Sequence, residues 1–532
     1  VNDDIVAGDA GTATAPAGMG AGPVRLRSGL AVGYRHDGVD IFKGIPYAQP
    51  PIGPQRYRKP LPPEPWEGTR NCVDFGPHSL QGSARRGQDR AILTQSEDCL
   101  YLNVWSPGLD DAGRPVVVYV HGGGYVIGSG SEPFLSGEGF ARCGVVFVTF
   151  NYRLAALGFL HLDQLFDGLE GTGNLGLYDT LRALEWVRDN IAALGGDASN
   201  VTLAGHSSGG VSTVALMGTP QAAGLFARAV PISSASGHSW IGSDAATAVA
   251  RRVLDTAGVR MGDLDGLLAT PAAQLGLSAD LYNDLYDVAG GHPFEPVLDG
   301  DLITVPSIEA IRAGAGAGVD VLVGHMEEEF RLCVFDERGE VRDPPLNMGV
   351  TAAGFDWLRL LAHTRRTDEE VTAVYRRSLL EAGRDVTSPE LFAQAASDLV
   401  MLNPGAALAE AHHGRTWMYR FAWRPPAGDG RVGACHGVDI PYFFGHLDAA
   451  FWAAMYQGQA DARLAHTYQA AIVAMATTGR PGHDGLPAWP AYDVEDRSVM
   501  VFDTECRLVS DPDGERRRLF EGSPPYGYVR PG

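Results

Sequence analysis

The sequence predicts an α/β chain with a central, mostly parallel sheet flanked by helices and large helical insertions over one end of it. Three observations lead there. Several β-rich apolar runs lack polar alternation, a stretch of helical spacing sits between two of them, and a long, mainly helical segment separates the late strands from the early ones.

The runs VVVYV (116–120), VVFVTF (145–150) and VTLAG (201–205) are apolar on both faces, as strands buried between two layers must be. Between the last two, Leu181, Leu184, Val187, Ile191 and Leu194 recur at helical spacing and the pattern stops at Gly195. This predicts a crossover helix and a βαβ unit. VDVLVG (319–324) and TWMYRF (416–421) continue the sheet. Between them, DEEVTAVYRRSLLEAG and SPELFAQAASDLVMLN read as helices. Ligand sites in open α/β sheets lie beyond the carboxyl ends of the strands. Such insertions either roof a site or serve packing alone.

The 532 residues, 45% hydrophobic, are enough for a large core, and length alone allows about two to four domains. Residues 1–22 are rich in Gly, Ala, Thr and Asp and read as a flexible tail. From there on no long linker and no internal repeat interrupts the pattern, so residues 23–532 are expected to form one domain.

A net charge of −22 and a pI of about 5.0 argue against nucleic acid and anionic membrane surfaces as partners and favour neutral or cationic small molecules. No run approaches the roughly 18 apolar residues of a spanning helix. The numbered chain shows no signal-peptide pattern. A cytoplasmic location is therefore expected, with secretion open if a leader was removed before Val1, and the chain is expected to be a monomer or homodimer. The six cysteines have no paired CxxC spacing, so a metal is not expected, and the chemistry read below calls for no other cofactor. Cys72 and Cys99 flank a loop, and both a disulfide and two buried thiols are open, thiols being the commoner case.

The chemistry concentrates in four places. After the VTLA strand comes Gly205-His206-Ser207-Ser208-Gly209-Gly210, then a helix-forming run. Strand, glycine turn and helix make GxSxG a nucleophile elbow, in which Ser207 occupies a strained turn that tolerates only small neighbours. After VVVYV comes His121-Gly122-Gly123-Gly124-Tyr125, whose glycines leave backbone N–H groups open to a developing oxyanion. The expected donors are Gly123, Gly124 and Ser208. A serine hydroxyl needs an imidazole base, and the imidazole needs an acid. His436, in the glycine-flanked GACHGVDIPYFFG, suits the base. Glu327, Glu328 and Glu329 lie just beyond a strand in the interval where this fold carries its acid, and residue type alone does not choose among them.

Together these residues resemble the type-B carboxylesterase family, which includes bacterial para-nitrobenzyl esterases, liver carboxylesterases, cholinesterases and the catalytically silent neuroligins. The resemblance runs from about Val24 to Phe502 through FKGIPYAQPPIG, SEDCLYLNVWSP, HGGGYVIGSG, NYRLAALGFL, the long GNLGLYD…HSSGG segment and GACHGVDIPYFFG. It implies an α/β-hydrolase fold. The family's spacing of glycine to catalytic glutamate runs from Gly324 to Glu329, which selects Glu329, and its histidine motif falls on His436. It also implies ester hydrolysis through an acyl-enzyme. Trp240 stands at a spacing after Ser233 similar to that of the cholinesterase acyl-pocket tryptophan. Trp240, Tyr125 and His206 are the candidate substrate contacts.

Three departures bear on function. The family usually has glutamate, serine and alanine at the elbow, where this chain has His206, Ser207 and Ser208. The loop between Cys72 and Cys99 has no tryptophan to bind a quaternary ammonium, which argues against a choline-ester specialist. Cys72 is displaced from the usual bacterial position, held here by Ser79, so the family's first disulfide is not carried over with certainty. The expected reaction is hydrolysis of uncharged short- to medium-chain esters. The alternatives are a non-catalytic neuroligin-like binding protein, an amide or carbamate hydrolase, or an acyltransferase on the same scaffold.

Overall fold

The computed structural model describes residues 22–81, 94–234, 240–276, 278–289, 291–336, 338–342, 364 and 366–521. Except for Gly22, the expected tail lies outside them. Eleven strands form one sheet: β1 (Tyr34–His36), β2 (Val39–Pro46), β3 (Tyr101–Ser106), β4 (Arg114–Val120), β5 (Val146–Phe150), β6 (Gly196–His206), β7 (Arg228–Ile232), β8 (Asp320–Met326), β9 (Thr416–Phe421), β10 (Ser498–Phe502) and β11 (Arg507–Ser510). Their spatial order is β11-β10-β9-β8-β7-β6-β4-β5-β3-β2-β1. The seven strands from β10 to β5 pair in parallel, and the pairs outside them are antiparallel.

The five strands read from the sequence are all present. Alternate side chains of β4 enter different cores, Val116, Val118 and Val120 on one face and Val117 and Tyr119 on the other, which is why the run carries no polar alternation. The crossover helix α1 (Leu175–Asn190) buries Leu181, Leu184 and Val187. It tightens to a 3₁₀ turn over Ile191–Leu194 and ends at Gly195 with φ 80°, a left-handed stop that a side chain would resist.

Chain order sets the position of the site. From β4 the chain moves to β5 on one side, then crosses back so that β6 lies on the other side of β4. The carboxyl ends of β4 and β6 therefore flank a topological switch point, where open sheets of this kind bind ligands. Strand β7 carries Pro231 opposite Gly205, a residue type that usually argues against a central strand.

The predicted helices form as α3 (Asp368–Glu381) and α4 (Ser388–Ser397), each capped by a threonine side chain. After α4 the chain widens to a π turn over Asp398–Leu402 before helix resumes at Asn403. This insertion packs on the segment that follows Glu329. The Phe330 N–H donates to Ser397 Oγ at 3.0 Å, and the Arg331 guanidinium pairs with Glu390. Among the described residues, no helix is long and apolar enough to cross a membrane.

Candidate active site

Strand β6 ends at His206 and helix α2 (Ser208–Met217) begins at Ser208, leaving Ser207 as the whole turn. Its φ of 58° and ψ of −125° are a conformation that costs a non-glycine residue on the order of 1–3 kcal/mol. Hydrogen bonds at both ends hold it there. The Ser207 N–H donates to Ile232 O at 2.8 Å, and Ser207 O accepts from Val211 N–H at 2.9 Å. Packing explains the glycines, since a Cβ on Gly205 would lie 2.3 Å from Gly209 O and one on Gly209 2.1 Å from Val120 O.

The glycine run after β4 lies against this turn. A Cβ on Gly122 would sit 2.7 Å from His206 O and 3.0 Å from Ser207 Cβ. Gly123 and Gly124 have φ of 121° and 61°, and the Val126 and Ile127 N–H groups both donate to Gly123 O. Ser208 is the first residue of α2, where helix geometry leaves N–H groups without intrahelical acceptors. The three expected oxyanion donors thus belong to two backbone segments in contact.

His436 lies in the loop after β9, and its Nδ1 is 2.7 Å from Glu329 Oε2. A second tie joins the same residues, because the His436 N–H donates to Glu329 O at 3.0 Å. Glu329 is fully buried, and its Oε1 accepts the Met326 N–H at 2.8 Å. Burial works to raise its carboxyl pKa. The His436 hydrogen bond and charge, the Met326 N–H and the Ser233 hydroxyl outweigh that and hold it below the usual carboxylate value. For His436, burial is the largest influence and holds the imidazole below its ordinary value against the pull of Glu329. The resting pair is therefore an ionised carboxylate beside a neutral imidazole. With Nδ1 committed to Glu329, Nε2 is the nitrogen left to accept a proton.

The three consecutive glutamates separate by partner. Glu328 is buried against Arg384 (2.6 Å) and Arg424 (2.9 Å) and accepts the Ala434 N–H at 3.0 Å. Glu327 lies nearer the surface and pairs with Arg424 (3.1 Å). Of the three, Glu329 is the one hydrogen-bonded to His436.

The expected substrate contacts stand apart from one another. Tyr125 is turned into the core, 2% exposed, with its ring on Phe159 and its hydroxyl 3.2 Å from Ser212 Oγ, so its side chain packs behind the glycine turn. His206 is buried, its ring 4.8 Å from that of His436. Trp240 is half-buried, and residues 235–239 before it lie outside the described region. Cys72 and Cys99 are both free and buried, and Cys99 neighbours Ser79.

Sequence reasoning missed Asp439, three residues after His436, and His292, whose Nε2 would be 2.8 Å from a Cβ on Gly124. Asp439 is buried, faces His206 and is bonded by Tyr468. Its place one turn beyond the histidine was the available signal. His292 is adjoined by no motif.

Strand order, elbow and glycine loop define an α/β-hydrolase fold. Residues 22–518 match the Carboxylesterase family. The chain belongs to that family and is a carboxylesterase-family enzyme. It is 35% identical over 505 residues to the para-nitrobenzyl esterase of Bacillus subtilis (strain 168), covering 93% of this chain and 97% of that protein. It is 32% identical over 495 residues to the phenmedipham hydrolase of Pseudarthrobacter oxydans, covering 90% and 94%. Among solved structures, the Geobacillus stearothermophilus carboxylesterase EST55 superposes with a TM-score of 0.80 at 33% identity, covering 94% of this chain and 99% of that one.

Proposed function

We propose that the enzyme hydrolyses uncharged short- to medium-chain carboxylic esters through an acyl-enzyme on Ser207. The observation that carries this reading is the 2.7 Å bond between His436 Nδ1 and Glu329, which fixes the tautomer that can take the serine proton. Ser207 attacks the carbonyl carbon while His436 Nε2 takes its proton, and Glu329 stabilises the imidazolium. The oxyanion is held by the N–H groups of Gly123, Gly124 and Ser208. His436 then protonates the departing alcohol, and water repeats the sequence on the acyl-enzyme. The chain's own residues supply every group these steps need.

The preference for uncharged over quaternary-ammonium substrates rests on the tryptophan-free loop between Cys72 and Cys99, and the charge of −22 disfavours anionic ones. Trp240 is assigned to the acyl side. Filled triad positions disfavour the neuroligin-like alternative. Amide or carbamate cleavage and acyl transfer differ from ester hydrolysis in leaving-group protonation and water access. The test is a panel of aryl and alkyl esters graded by acyl length, with choline esters and a triglyceride emulsion alongside. Short neutral esters should have the highest kcat/KM, and a preference for choline esters or emulsified triglyceride would overturn the substrate assignment.

A further inference from the structure

The position before the proposed nucleophile holds a histidine where the family resemblance leads one to expect glutamate, and the structure gives that histidine a carboxylate of its own. His206 is 4% exposed. Its Nε2 lies 3.6 Å from Asp439 Oδ1, and neither atom has a hydrogen-bond partner among the described residues. Asp439 is 1% exposed, and its other oxygen accepts the Tyr468 hydroxyl at 2.8 Å, which in turn lies 2.6 Å from the Tyr419 hydroxyl. Tyr419 reaches that point by packing on Gly324, where a Cβ would lie 1.9 Å from its Cζ. Asp439 is thus anchored from behind with one oxygen directed at His206.

We infer that His206 is a positioning residue for the proposed reaction: its imidazolium form pairs with Asp439 and places a positive charge behind His436. Two buried polar atoms without partners are costly, and a proton on Nε2 satisfies both once the 3.6 Å gap closes by roughly 0.7–0.9 Å to charge-assisted hydrogen-bond distance. The other titratable groups near the pair are His436, Glu329 beyond it, and the hydroxyls of Tyr119, Tyr419, Tyr456 and Tyr468. Burial keeps all four phenols neutral. The charge facing His436 from this side is therefore set by His206 and Asp439. His206 pushes the His436 imidazole down and Asp439 pulls it up, His206 more strongly. Removing the cation alone leaves an uncompensated carboxylate, and removing both restores neutrality.

The inference rests on His436 as the base. The test is the pH dependence of kcat/KM for a neutral ester in wild type, His206→Gln, the double variant His206→Gln/Asp439→Asn, and His436→Ala. His206→Gln should move the acid limb up by about one pH unit, a roughly tenfold loss well below the limb. The double variant should move it back. A limb unmoved by His206→Gln, or one that stays displaced in the double variant, overturns the inference while leaving the base in place. Activity retained by His436→Ala overturns both. Where the His206 variants fail to fold, ring ¹⁵N NMR of the wild type decides. A doubly protonated His206 beside a singly protonated His436 supports the pairing, and a His206 that stays neutral across the active pH range refutes it.

Discussion

The nucleophile side and the acid–base side of the proposed centre are held by different forces. Ser207 and the glycine run are fixed by backbone: adjacent parallel strands, a one-residue turn, and approaches that leave no room for a Cβ at Gly122, Gly205 or Gly209. His436 and Glu329 sit on loops joined across a separation of 107 residues by side-chain and main-chain hydrogen bonds. Beneath them Glu328 ties the Ala434 amide to Arg384 and Arg424. Close packing tolerates little variation and leaves a short, local signature. Buried ion pairs draw partners from distant segments and leave none.

The comparison can be broken at its strongest point first. Ser207→Ala should lower kcat by at least about four powers of ten with the fold intact, measured by steady-state kinetics together with circular dichroism. A small loss would place the nucleophile elsewhere.

The two sides should next part company at neighbouring glutamates. Glu329→Gln keeps the shape but stabilises the imidazolium poorly and disturbs the tautomer, and should cost on the order of 10³–10⁴ in kcat. Glu328→Gln takes the carboxylate from Arg384, which is half-buried, and from Arg424, which is exposed and keeps Glu327; it should cost about 1–3 kcal/mol of stability, with a much smaller loss of rate in the folded fraction. Glu327→Gln should do little to the rate. Chemical denaturation and kcat on the same samples separate these outcomes, and equal rate losses at all three positions would remove Glu329 from its role.

Acid should act on the loop side twice. A neutral, buried His436 contributes stability that is fully present above the unfolded imidazole value, about 6.5, and erodes as pH falls below it. The carboxyl of Glu329, depressed in the folded state, contributes stability present above about 4.3 and lost as pH falls through its folded value. Activity should therefore persist to pH values below the ordinary histidine midpoint, and stability should drop through both windows. A rate that halves well above that midpoint would contradict a lowered His436.

The smallest effect concerns selectivity. If Trp240 bounds the acyl side, Trp240→Ala should move the chain-length optimum towards larger acyl groups by about 1–3 kcal/mol of discrimination per methylene accommodated. An unchanged profile on the graded ester panel would take Trp240 out of the pocket.

What the sequence made legible follows the same division. The runs that became β4, β5, β6, β8 and β9 were readable because parallel strands buried on both faces lose polar alternation. The elbow and glycine loop were readable because each is a few consecutive residues. Strand β7 was not, since Pro231 points away from a central strand, yet parallel pairing continues around it to the bond between the Ser207 N–H and Ile232 O. Glu329 could be chosen only through family spacing, because the arginines that claim Glu328 come from positions 384 and 424. Tyr125 was misleading in the other direction: its place beside the glycines suggested substrate, whereas its ring serves the core. Asp439 went unread because a carboxylate gains meaning from what it faces, here a histidine 233 positions earlier.

The most direct test of the central claim is the intact mass of the enzyme after reaction with a serine-directed organophosphate, followed by peptide mapping. One adduct per chain, on Ser207, is the predicted result, since that serine combines an imidazole base with an oxyanion hole. An adduct on Ser208, or none under conditions where a serine esterase control is fully labelled, would contradict it.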